Sequence, residues 1–156
     1  MKYMLVGALL LIVGVHSTWA ASWQIGGGAP DLLLIVAISV GINLGWADGA
    51  MAGMAIGFVQ ATLHGADFGS YLVSRSLAGA LAGYVQPAIS KDNLFAPSLC
   101  VLSVGFAAET MFFLMSPRPF ADWLAATVIL CAYNAGITSA LHIPLTAMIR
   151  RLQRVA

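Results

Sequence analysis

Six apolar runs, each parted from the next by a few polar or glycine-rich residues, divide the chain: 4–21, 31–46, 49–63, 68–85, 95–115 and 123–148. A bilayer core of about 30 Å needs roughly 20 helical residues, and fewer where the bilayer thins. The pattern therefore predicts an all-α, polytopic bundle of six transmembrane helices, a single integral membrane domain over 1–156. The second and third runs are short and separated only by Ala47 and Asp48, so a re-entrant hairpin is the alternative to two full crossings. The first run follows Lys2 and ends near Thr18-Trp19-Ala20, which also has the outline of a signal peptide. Trp19 beside the supposed cleavage site speaks against that reading.

Within the runs, glycine recurs every fourth residue at Gly49, Gly53 and Gly57, and again at Gly79 and Gly83. Residues four apart share one helix face. In lipid, small residues at that spacing let two backbones approach closely. The third and fourth runs are thus expected to form a tight helical hairpin, turning at His64-Gly65-Ala66-Asp67, with Arg75 on its small-residue stripe beside Ala78, Gly79 and Ala82.

Composition supports the membrane assignment. Hydrophobic residues make up 60% of the chain and charged residues 8%, against the quarter or so of charged residues in soluble domains. Mean hydropathy is +0.91. A net charge of +1 gives no electrostatic case for nucleic acid, and the bilayer is the expected surrounding. Lys2, Lys91, Arg150, Arg151 and Arg154 fall on one side of a six-span topology and Arg118 alone on the other. By the positive-inside rule both termini face the cytoplasm, in an inner-membrane protein. Trp19, Trp23 and Trp123 then lie near the outer interface and Trp46 near the inner one. Cys100 and Cys131 sit inside apolar runs and read as buried free thiols.

Two charges are left inside the membrane. Arg75 lies about seven residues into the fourth run and Glu109 about six from the outer end of the fifth. At 1.5 Å per residue both sit roughly 10 Å below the outer surface. An isolated charge at that depth is expensive and pairing is the usual remedy, so Arg75 and Glu109 are expected to form a structural ion pair. A substrate or proton site is the sharper alternative, and snorkelling of Arg75 toward the surface a third. Asn134, Thr138 and His142 make one polar stripe on the last run, expected to hydrogen-bond across helices, with ligand contact as the alternative. His16, His64 and His142 occupy different spans or corners with no acid or thiol at ligand spacing, so no metal is expected. Asp31, Asp48 and Asp67 each precede or open a run and read as helix caps. No nucleophile stands with a base, and no phosphate loop or cofactor motif is present. A non-enzymatic protein without cofactors is expected.

The order of Pro30-Asp31-Leu-Leu-Leu-Ile, a glycine-rich third run ending Gly57-Phe-Val-Gln60, the corner Gly65 with Phe68-Gly69, Gly79 and Gly83, a glutamate in the fifth run, and Asn134 with Pro144 in the last resembles MreD, the rod shape-determining membrane protein family, over roughly residues 28–152. The resemblance implies a non-enzymatic scaffold of the cell-elongation machinery. It would bind MreC and, through it, MreB, RodA and a penicillin-binding protein, and so help organise peptidoglycan synthesis and cell shape. It also implies an S-component-like fold, and hence the alternative of a substrate-capture S component of an energy-coupling-factor vitamin transporter. The outer half offers mainly Arg75, Glu109 and Gln24 for a ligand. Gly7 and Gly14 in the first run are seven apart, not the four a coupling surface wants. The scaffold is therefore the preferred expectation.

Overall fold

The computed structural model describes residues 30–89 and 95–153, with side chains described up to residue 140 except at Ala88. Five α-helices follow in order: α1 (Leu32–Leu44), α2 (Trp46–His64), α3 (Phe68–Tyr84), α4 (Phe95–Met115) and α5 (Phe120–Gln153), with a single 3-10 turn at Gln86–Ala88 after α3. The first apolar run, 4–21, lies outside the described residues, as do Lys2, His16, Trp19, Trp23, Gln24, Lys91 and Arg154.

The bundle is built around α1. Its sequence, LLLIVAISVGINL, is apolar on every side, and Leu33, Leu34, Ile35, Ala37, Ile38 and Ile42 are all buried. A helix without a polar face belongs inside a bundle. Leu34, Ile35, Ile38 and Ile42 form one core with Ala78 and Ala82 of α3 and Val101, Val104 and Ala108 of α4. The opposite side of α1 packs Leu33 and Ala37 on Ile56 of α2.

Between α1 and α2 the chain turns at Gly45, whose φ of 102° and ψ of 178° suit glycine alone among the residues. This break sets the start of α2 at Trp46. Asp48 consequently lies within the first turn of α2 instead of capping it. Asp67 precedes α3 in a left-handed conformation but makes no side-chain cap bond; its carboxylate accepts from the Ser116 hydroxyl at 2.8 Å, in the corner between α4 and α5. Capping by side chain therefore holds for Asp31, which accepts from Leu34 N–H at 2.9 Å, and fails for the other two.

The glycines place α2 against α3 backbone to backbone. A Cβ on Gly53 would collide with the Arg75 carbonyl, one on Gly57 with Tyr71 and Leu72, and one on Gly49 or Gly79 with the other glycine of that pair. Gly83 meets Gly45 and Trp46 at the turn, and Gly41 of α1 meets Gly79 and Gly83. Three helices thus share the contact, not the two that the spacing alone suggests.

α4 and α5 run side by side, with Ser98 and Ser139 hydroxyls 2.8 Å apart at one end. At the other end the Trp123 indole donates to the Glu109 carbonyl at 3.3 Å. α4 and the segment Phe120–Ala140 of α5 are each long and apolar enough to cross a membrane. Large apolar side chains face outward on several helices, among them Met51, Met54 and Phe58 of α2 and Leu99, Leu102 and Phe106 of α4. The protein is an all-α, membrane-embedded bundle with at least two spanning helices.

Candidate functional site

Pro30 and Asp31 begin α1 inside the bundle, where a proline costs no hydrogen bond and an acid suits the helix dipole. Asp31 is nonetheless more than a cap. Its Oδ1 accepts from Leu34 N–H, both carboxylate oxygens accept from the Gln60 amide at 2.9 Å, and Oδ2 accepts from Arg75 Nη2 at 2.8 Å. Its own N–H donates to Asn134 Oδ1 at 2.9 Å.

Arg75 is the hub. Nη1 donates to Glu109 Oε1 at 2.8 Å, Nη2 to Asp31, and Nε to Gln60 Oε1 at 2.7 Å. The guanidinium carbon lies 5.6 Å from the Tyr71 ring centre, within cation–π range. Asp31, Gln60, Arg75, Glu109 and Asn134 are all buried. Each of the five described helices supplies one of them. The small residues of α3 explain how so many groups converge. Ser74, Ala78, Gly79 and Ala82 around Arg75 leave room for α1 and α2 to close in.

Among the described residues the charges of this cluster are unequal in number. One guanidinium faces two carboxylates. The other Glu109 oxygen, Oε2, has Arg118 Nη2 at 3.8 Å, from a side chain that is 43% exposed. Low dielectric strengthens such an interaction and also raises the penalty for imbalance, and Arg118 stands at the exposed edge of the cluster.

Of the residues singled out from the sequence, Arg75 and Glu109 meet directly. Asn134 joins them through Asp31. Thr138 does not reach another helix; its hydroxyl turns back onto the Asn134 carbonyl at 2.7 Å. The side chain of His142 lies outside the described residues. His64 stacks on Tyr71 at 5.1 Å and bonds the Gln60 carbonyl, at the edge of the cluster. Among the described residues no three metal-ligating side chains converge. Both described cysteines, Cys100 and Cys131, are buried free thiols.

Sequence reasoning left Asp31 and Gln60 out of the site. An acid at a helix start has a sufficient local explanation, and a glutamine carries no charge to balance. The usable signal is arithmetic: an arginine has five N–H donors, so a single carboxylate leaves a buried guanidinium short of acceptors. Asp31, one of the few other acids in the chain, opens the neighbouring helix.

The chain belongs to the family described as 5TMR of 5TMR-LYT, whose model matches residues 2–148. No curated protein and no solved structure matches the chain. The family match overturns the MreD resemblance. Glycines four apart, a Pro-Asp helix start and an intramembrane glutamate each answer a packing or capping need of membrane helices, so they do not single out one family. The readings that depend on that resemblance fall with it: the rod-complex scaffold, its role in cell shape and peptidoglycan synthesis, and the S-component alternative. MreC, MreB, RodA and a penicillin-binding protein have no other ground as partners.

Proposed function

We propose that this member of the 5TMR of 5TMR-LYT family is a receptor-like membrane domain and not an enzyme. It responds to a condition on one side of the bilayer at the Arg75 cluster and transmits the response through the position of its helices. The observation that supports this reading is the convergence on Arg75 of a carboxylate from α1, an amide from α2 and a carboxylate from α4. A pair that only fixes a fold needs two helices. Here a change of charge at Glu109 or Asp31 alters what four helices hold at once.

α5 supplies a route out of the bilayer. Asn134 ties it to the start of α1, and the helix then continues to Gln153. Its 34 residues make a rod of about 51 Å at 1.5 Å per residue, well beyond the bilayer core of about 30 Å. In this reading Arg150, Arg151 and Arg154 mark the cytoplasmic end and the cluster lies in the outer half. The proposed topology has six crossings with both termini on the cytoplasmic side.

Spin labels at Tyr84→Cys and Gln153→Cys, with Cys100 and Cys131 replaced by alanine, report where the far end of α5 sits relative to α3. Glu109→Gln or Asp31→Asn is expected to shift the measured distance distribution in nanodiscs while the protein stays folded. An unchanged distribution in both folded variants would mean a static clamp and would end the receptor reading.

A further inference from the structure

Among the described residues, two buried side-chain polar atoms have no hydrogen-bond partner: the Thr127 hydroxyl and the Asn134 amide nitrogen. Each side chain belongs to a residue only 1% or so exposed. Leaving a buried donor unmatched is costly, so such groups nearly always bond to protein or to ordered water.

Thr127 stands out among its equivalents. Thr62, Ser103, Thr110 and Thr138 each turn the hydroxyl onto the carbonyl one helical turn back, at 2.7–2.8 Å, the common resort of a hydroxyl inside a helix. Thr127 has the Trp123 carbonyl in the same place and does not use it. Its hydroxyl is directed elsewhere.

The location of these groups is equally telling. Trp123, Thr127, Cys131 and Asn134 are four successive inward positions of α5, all buried. The first bonds the Glu109 carbonyl, the third lies against Gly105, and the last bonds Asp31. At the exposed edge of the same cluster, Glu109 Oε2 and Arg118 Nη2 are 3.8 Å apart, an ion pair too long for a hydrogen bond, so that carboxylate oxygen can still accept from water.

We propose that this face of α5 carries an internal water-binding site, a short file of water running from the Arg118–Glu109 mouth past Thr127 to Asn134. Thr127 and Asn134 are seven residues apart, about 10 Å along the axis, so several molecules are needed rather than one. Water is the ligand because the groups offered are a hydroxyl, an amide donor and a carboxylate oxygen, none of which needs a second charge. The file gives the cluster aqueous access from one side, and this holds whether or not the receptor reading does.

X-ray hydroxyl-radical footprinting of the intact protein in nanodiscs tests it, because radicals form from water next to the residue they oxidise. The two native thiols are equally reactive chemically. Cys131 lies on the proposed file, whereas Cys100 belongs to the apolar core and is the more exposed of the two, at 8% against 4%. Burial alone therefore makes Cys100 react faster. The file makes Cys131 react several-fold faster. Thr127→Val should lower the Cys131 rate toward that of Cys100 and shift the unfolding equilibrium about fivefold toward the unfolded state, the loss of one typical hydrogen bond. Thr127→Ser, which keeps the hydroxyl, should preserve the Cys131 rate. Wild-type protein in which Cys131 reacts no faster than Cys100 would overturn the proposal, whatever the variants do.

Discussion

Removing Arg75 should harm this protein far more than removing either acid, and the charge count of the cluster says by how much. Arg75→Met keeps a chain of similar length and apolar character but deletes three hydrogen bonds, two of them to carboxylates. Asp31 and Glu109 then both lose the guanidinium that each binds at 2.8 Å, and Glu109 keeps Arg118, 43% exposed, at 3.8 Å. Breaking one buried pair by removing a partner generally costs about 3–5 kcal/mol, and two carboxylates are stranded here, so a loss at the upper end is expected. Glu109→Gln is different in kind. Its amide oxygen still accepts from Nη1, and the remaining Arg75–Asp31 pair is balanced one to one. Its cost should be about 1–2 kcal/mol, the charge-assisted part of one bond.

The double variant Arg75→Met/Glu109→Gln still holds the Asp31 carboxylate, so its recovery should be partial. Arg75→Met/Asp31→Asn/Glu109→Gln removes all three buried charges of the described cluster, and asparagine keeps the cap on α1. Reversible unfolding in mixed micelles, followed by tryptophan fluorescence, measures all four. The expected order of stability places Glu109→Gln highest, the triple variant next, then the double, with Arg75→Met lowest. Equal losses in Arg75→Met and Glu109→Gln, or a triple variant no better than Arg75→Met, would refute the charge count.

Two further outcomes follow from packing and topology. Gly53→Ala should reduce the folded protein recovered from membranes severely, because its Cβ would strike the Arg75 carbonyl, whereas Gly136→Ala meets nothing within 4 Å and should gain the better part of 1 kcal/mol in helix propensity; similar folded yields for the two would sink the close-packing argument. Cysteines placed at Lys2 and Arg154 should react with an impermeant thiol reagent only after the cell is opened, and labelling of either one in intact cells would contradict the proposed six-crossing, termini-inside topology.

The helices were largely legible because a spanning helix needs only length and apolarity, and both are visible in a string of letters. The run 95–115 coincides with α4, and 68–85 ends one residue past α3. Boundaries set by backbone conformation were less legible. Trp46 joins α2, not α1, because Gly45 takes a conformation that ends one helix and admits the next at once. α5 runs past residue 148 because its polar end, although unsuited to lipid, has nothing that breaks a helix.

The site was half legible for a reason that bears on how such clusters are found. Arg75 and Glu109 are conspicuous because each is a charge with no local explanation. Asp31 has one, at a helix start, and so it escaped notice although it bonds Arg75 as closely as Glu109 does. A local role does not exhaust a carboxylate: each oxygen has two lone pairs, and the cap uses one of the four. The question to ask of a buried arginine is therefore how many acceptors it needs, not which acid is nearest. Counted that way, its donors require more than Glu109 supplies. They turn attention to the acids and amides already assigned elsewhere, and both Asp31 and Gln60 meet that need. The same count, applied to Asn134 and Thr127, leaves one polar atom on each without a protein partner among the described residues, which is the ground for the proposed water.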